Sequence, residues 1–144
     1  MQVSKILDSK GRQVITIKPQ ATVGEALRVL WLEGIGALVV TDGKGKVAGM
    51  LSERDIIRGL AAQGTALLDQ PVGERMETSP VTCTPETGIE DLMNEMTERR
   101  IRHFPVVDGG KLVGIVSLGD LVKNRLQELE DETSTLRGYL HAIR

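Results

Sequence analysis

The feature that most constrains this chain is that it repeats itself. Residues 16–44 align with 82–110, and after one gap at Gly45 residues 46–58 align with 111–123. Ten of these 42 pairs are identical: Thr16/Thr82, Pro19/Pro85, Ile35/Ile101, Val40/Val106, Asp42/Asp108, Gly43/Gly109, Lys46/Lys111, Gly49/Gly114, Ser52/Ser117 and Asp55/Asp120. Conservative pairs such as Val23/Ile89 and Met50/Ile115 extend the match, and a shorter echo, 3–7 against 72–76, precedes each copy. A unit of about 60 residues buries too little surface to be comfortable alone. Two copies packed face to face around a shared core are therefore expected.

Each copy has the same order of elements. An extended segment, 13–17 or 81–84, comes first. A helix follows, with apolar residues at Val23, Ala26, Leu27, Leu30 and Trp31 in one copy and Ile89, Leu92, Met93 and Met96 in the other, the stripe of one buried face. This spacing predicts Trp31 in the core. Thr22 three before Glu25, and Thr87 three before Glu90, have capping-box spacing. Two strands follow, 37–41 and 47–51 or 103–107 and 111–116, joined by Asp42-Gly43 or Asp108-Gly109, the hairpin signal. A second helix closes the unit. The fold class is α+β, with repeats at 1–66 and 67–124, a linker near 63–71 and a tail at 125–144.

Composition narrows the function. Aromatic residues are only Trp31, Phe104 and Tyr139, too few for a stacking platform that reads single-stranded nucleic acid. A net charge of −2 is no basic surface for DNA. Cys83 is the single cysteine and His103 and His141 the two histidines, so a structural zinc site lacks ligands and no internal disulfide can form. The flanking Thr82 and Thr84 do nothing to lower a thiol pKa, and Cys83 is expected to be buried. With no long apolar run for a membrane span or secretory signal, the expected compartment is the cytoplasm.

The chemistry sits in one phrase written twice: Gly49-Met50-Leu51-Ser52-Glu53-Arg54-Asp55 and Gly114-Ile115-Val116-Ser117-Leu118-Gly119-Asp120. Each is a strand running into a helix. First-turn amides can receive a phosphate, the Ser hydroxyl can donate beside them, and an ionised Asp can accept from both ribose hydroxyls. The same spacing is also that of a plain capping box. Residues alone leave both readings open.

The duplicated β-α-β-β-α unit, the Gly-h-h-Ser-x-x-Asp phrase (h, apolar) and the strand end Phe104-Pro105-Val106-Val107-Asp108 resemble a tandem pair of cystathionine-β-synthase-type (CBS) domains, a Bateman module, to about residue 125. The resemblance implies pseudo-twofold packing and regulatory binding of an adenosyl ligand: AMP, ADP, ATP, NAD(H) or S-adenosylmethionine. It implies one cleft of Ser52 and Asp55 with Pro80, Val81, Arg102 and His103. There the backbone near Val81 reads adenine, Asp55 holds ribose, Arg102 and His103 face phosphate, and Arg54 either reaches phosphate or lies on the helix surface. It implies a second cleft of Ser117 and Asp120 with Ile15, Ile35, Gly36 and Ala37. Because Gly36-Ala37 stands where the other copy has Arg102-His103, the second cleft is expected to hold a less charged end or to bind more weakly. Val39 also replaces the family's proline, which Pro105 matches.

The reading is a nucleotide sensor for AMP or NAD(H), with ATP or ADP as further candidates, without catalytic cofactor or metal site. No P-loop, nucleophile–base pair or magnesium-type carboxylate cluster is visible. Two alternatives stand beside it: a structural adaptor whose Ser-x-x-Asp phrases are only caps, and a nucleotide hydrolase with Asp55 or Asp120 as base. In the tail, Val122, Leu126, Leu129, Thr133, Leu136, Leu140 and Ile143 are spaced 4, 3, 4, 3, 4, 3, a heptad seam. A homodimer is expected from it, with a helix folded back on its own domain as the alternative; either way Leu136, Tyr139, Leu140 and Ile143 are expected to be buried. A downstream protein partner is implied but not named by the sequence.

Overall fold

In the computed structural model, which describes residues 1–143, the first repeat contributes α1 (Val3–Lys10), β1 (Thr16–Ile17), α2 (Val23–Glu33), β2 (Ala37–Thr41), β3 (Val47–Ser52) and α3 (Glu53–Gln63). A 3-10 helix (Gly64–Asp69) links to α4 (Val72–Arg75), α5 (Ile89–Arg99), β4 (His103–Asp108), β5 (Lys111–Ser117) and α6 (Leu118–Ile143). Mixed helices and two small sheets make the fold α+β. Thr22 closes its capping box, accepting from the Glu25 amide at 3.1 Å while its own amide donates to Glu25 Oε2 at 3.3 Å. Thr87 does not. The helix begins at Ile89, so its N-cap is Gly88, the residue equivalent to Thr22, and Thr87 Oγ1 instead accepts from the Thr84 amide at 3.0 Å.

The hairpins match in register. Ala37 faces Ser52 in one sheet as His103 faces Ser117 in the other, and each has an irregularity near its turn. β1 joins β2 in parallel, with Ile17 opposite Val40. In the second repeat the expected strand 81–84 shrinks to a single bridge between Cys83 and Val106, the equivalent pair.

Alternation across β2 sends Leu38 and Val40 to one side and Ala37 and Val39 to the other. Leu38 and Val40 join Val23, Ala26, Leu30, Leu51 and Ile56 in a first core. Ile89, Leu92, Met96, Phe104, Val106, Val116 and Leu121 form a second. The cores do not merge as expected. The repeats meet instead through a smaller cluster in which Ala37, Val39 and Met50 pack with Leu112 and Ile115.

The leading helices trade places. Val3, Ile6 and Leu7 of α1 are buried in the second core, and Val72 of α4 in the first. Backbone bonds repeat the exchange: Val3 N to Thr87 O (2.9 Å) and Ser4 N to Pro85 O (2.9 Å) are matched by Val72 N to Ala21 O (2.7 Å) and Gly73 N to Pro19 O (2.9 Å). The boundary near residue 66 therefore divides the sequence but not the cores. It also explains the shared glycine of the repeated phrase. A Cβ on Gly114 would lie 2.7 Å from Leu7, and one on Gly49 would lie 2.6 Å from Met76 Sδ, so each glycine is the seat of an exchanged leader.

One burial expectation fails. Trp31 is 80% exposed, together with Leu32 and Ile57, so that stripe is wider than the core it serves. In the single chain Leu136, Tyr139 and Leu140 are exposed, because α6 continues past the domain without folding back on it, which leaves their burial to a second chain. The Ile143 side chain lies outside the described residues.

Candidate functional site

Both Ser-x-x-Asp phrases stand where a strand enters a helix, and both form a reciprocal capping box. Ser52 N donates to Asp55 Oδ2 at 2.9 Å and Asp55 N to Ser52 Oγ at 3.3 Å. Ser117 N donates to Asp120 Oδ2 at 2.8 Å and Asp120 N to Ser117 Oγ at 3.1 Å. The first amide of each helix is engaged as well, Glu53 N with Gly36 O at 3.0 Å and Leu118 N with Arg102 O at 2.8 Å. Only the second amides, of Arg54 and Gly119, stand outside these bonds, so the helix ends offer a phosphate less than their bare geometry suggests. The caps use Oδ2 of each aspartate. Oδ1 is left for a donor such as a ribose hydroxyl.

A cavity of about 390 Å³ opens beside the second phrase. Ser117, Asp120 and Ile115 line it from the second repeat, and Ile15, Ile35, Gly36 and Ala37 line it from the first. All six residues expected for the second cleft are thus brought together. Lys10, Gln13 and His103 line it too. The volume falls in the range of small-ligand sites, with apolar walls and few polar groups.

Lys10 supplies the cation that the sequence reading left out of this cleft. Its Nζ donates to Asp120 Oδ2 at 2.7 Å and to Ile115 O at 3.0 Å. Burial tends to raise the Asp120 carboxyl, but the Lys10 hydrogen bond and charge and the Ser117 N–H outweigh it and hold the pKa below the usual carboxylate value. His103 stands near Gly36 and Glu53, where the repeats meet. Burial lowers its pKa, with Lys10 and Arg102 adding to the effect and Asp120 and Glu53 opposing it. It is a neutral imidazole at pH 7.

The expected basic pair therefore divides. His103 lines the cavity, whereas Arg102 lines a neighbouring groove of about 550 Å³ with Leu118, Gly119, Val122, Lys123 and Leu126; His103 and Ser117 border both. Ser52, Arg54, Asp55, Pro80 and Val81 are not among the residues that line the cavity. Arg54 is exposed at the start of α3, Ser52 and Asp55 are half-buried, and Val81 packs against the second core. Sequence reasoning missed Lys10 because its place depends on the exchange: α1 carries it on a turn that the four-residue α4 does not have.

The chain's relatives share this architecture. The CBS domain family model matches residues 4–62 and 72–126. The CBS domain-containing protein YhcV of Bacillus subtilis is 37% identical over 139 residues, which cover 96% of this chain and 97% of YhcV. The crystal structure of the CBS-domain containing protein ATU1752 from Agrobacterium tumefaciens superposes with a TM-score of 0.84 at 44% identity, covering 87% of this chain and 99% of that one. The CBS domain protein PAE2072 from Pyrobaculum aerophilum, solved in complex with AMP, does so with a TM-score of 0.78 at 29% identity, covering 92% and 99%. Two repeats, their shared phrase and the match to both make this chain a tandem CBS-domain pair, a member of the CBS-domain family.

Proposed function

We propose that the protein is a regulatory module that binds an adenine nucleotide, AMP or NAD(H) first and ADP or ATP next, and carries out no chemistry on it. The observation behind this is the cavity in which Asp120, Ser117 and Lys10 converge on apolar walls given by Ile15, Ile35 and Ala37. Adenine stacks against the aliphatic wall, ribose donates to Asp120 Oδ1, and phosphate lies toward Lys10. The AMP complex of PAE2072 supports the ligand class. By the internal twofold, Ser52 and Asp55 with Pro80, Val81, Arg102 and His103 form the companion cleft. The working form is a cytoplasmic homodimer that acts on a downstream protein. A ligand shifts such a module only as far as it binds two arrangements differently.

The test is to denature the purified protein, identify any released nucleotide by mass, and then measure thermal shifts with AMP, ADP, ATP, NAD, NADH and S-adenosylmethionine. A ligand at 100 times its Kd adds about 2.7 kcal/mol. The absence of both a shift and a released nucleotide refutes the reading. The reciprocal capping boxes favour a second reading, in which both phrases are caps alone and the protein is an adaptor. It predicts no response to any nucleotide, and an Asp120→Ala variant that only loses stability. Hydrolysis is tested by incubating bound nucleotide with Mg²⁺; an intact ligand removes it.

A further inference from the structure

The end of α6 is a long helix with no support from its own domain. Leu126, Leu129, Leu136 and Leu140 are 43–62% exposed along one seam, with Val122 at 47% at its start. A free helix of this length is marginal in water. The side that packs on the protein, Leu121, Asn124 and Glu128, lies about 130° round the helix from that seam. A second helix can reach the seam without displacing the domain. Thr133, at the centre, already donates its hydroxyl to Leu129 O at 2.9 Å, so it can be covered without losing a partner.

The flanking charges decide what covers it. Taking Leu126, Thr133 and Leu140 as the a positions and Leu129 and Leu136 as d, the g positions hold Arg125 and Glu132 and the e positions hold Lys123, Glu130 and Arg137. In a parallel in-register pair, g meets e′ five residues on: Arg125 meets Glu130 of the second copy, and Glu132 meets Arg137 of the second copy. Both pairs are complementary, and each occurs twice by symmetry. In the antiparallel arrangement e meets e′ and g meets g′: the register that sets Leu126 against Leu136 puts Lys123 against Arg137, Glu130 against Glu130 and Glu132 against Glu132, all repulsive, and the register one heptad further along the tail gains only the two Glu130–Arg137 pairs, half the number of the parallel pair. Gly138 falls at f, on the far side. We propose that α6 is a parallel two-stranded coiled coil with a second copy of this chain, selected by these four ion pairs. It would place both cavities at the same end of the assembly. This inference does not depend on what the cavity binds.

The test uses full-length chains. A basic variant, Glu130→Arg with Glu132→Arg, and an acidic variant, Arg125→Glu with Arg137→Glu, each make every flanking pair repulsive. Alone, each self-associates about tenfold more weakly than the parent or worse. Mixed in equal amounts, they give mainly mixed dimers by native mass spectrometry, even if other surfaces also hold the subunits together. Statistical mixing, or monomers in every sample including the parent, overturns the proposal. Orientation is read independently by oxidation. Leu140→Cys cross-links to itself if the helices are parallel; a cross-link that forms only when it is mixed with Val122→Cys or Leu129→Cys means antiparallel helices and overturns it.

Discussion

Lys10 Nζ stands 2.7 Å from Asp120 Oδ2, so a residue of the first repeat's leader neutralises the carboxylate that opens the second repeat's last helix. The pair is partly buried, with side-chain exposures of 32% and 22%. A nucleotide entering the cavity meets both groups at once: its ribose donates to the aspartate, and its phosphate draws on the lysine. Lys10→Met should therefore lower AMP affinity about tenfold while changing adenosine affinity little, the loss of one charge-assisted hydrogen bond. Calorimetric titration with both ligands checks this. Equal losses for the two would place Lys10 away from the phosphate.

His103 gives the stability a pH dependence with a definite sign. Its imidazole titrates near 6.5 when unfolded and lower when folded. Between those values the unfolded chain binds more protons, so the contribution is fully present above about 6.5 and is lost as pH falls through the folded pKa. Asp120, also depressed, adds a second loss at lower pH by the same reasoning. Melting curves from pH 7.5 to 5 should show a decline that His103→Gln largely removes in its upper part. An identical decline in the variant would assign it to other groups.

Cys83, 6% exposed, has its thiol pushed up to about 11 by burial. It should stay unreactive toward a thiol reagent at neutral pH until the chain unfolds. Because the unfolded thiol ionises near 9.0, its contribution is complete below that pH and falls away up to about 11, on the order of 2 kcal/mol in all. Cys83→Ala should lack this alkaline loss.

Arg100 caps α5 in the left-handed conformation, φ 56°, where the equivalent Gly34 caps α2 at φ 64°. A side chain pays a steric penalty there that glycine avoids. Arg100→Gly should stabilise the protein by about 0.5–1 kcal/mol, and Gly34→Arg should destabilise it by about 1 kcal/mol. Urea midpoints with an unchanged slope would establish both.

Much of this was legible in the sequence because a duplication checks itself. The hairpins, the Thr22 cap and the two Ser-x-x-Asp junctions follow from local pattern, and their recurrence fixed the registers. What escaped were long-range facts. Periodicity says that a helix has an apolar face but not whether anything in the same chain covers it, which is why it places Trp31 in the core and leaves open whether the α6 seam meets its own domain or a second chain. The Thr87 cap failed by one residue because Thr84 offered its hydroxyl another donor. Lys10 belongs to the cavity only through the crossing of α1 to the other repeat, and no local pattern records that crossing.

The crossing also decides what can be cut from this chain. A fragment ending near residue 66 would carry α1 with no pocket to receive it, and would leave the cleft over Gly49 open where Met76 belongs. A nick in the exposed 64–66 stretch is another matter, since each piece would still hold the other by its leader. Two such fragments, made separately, should find one another and rebuild the pair, whereas either one alone should behave as an unfolded or aggregating chain.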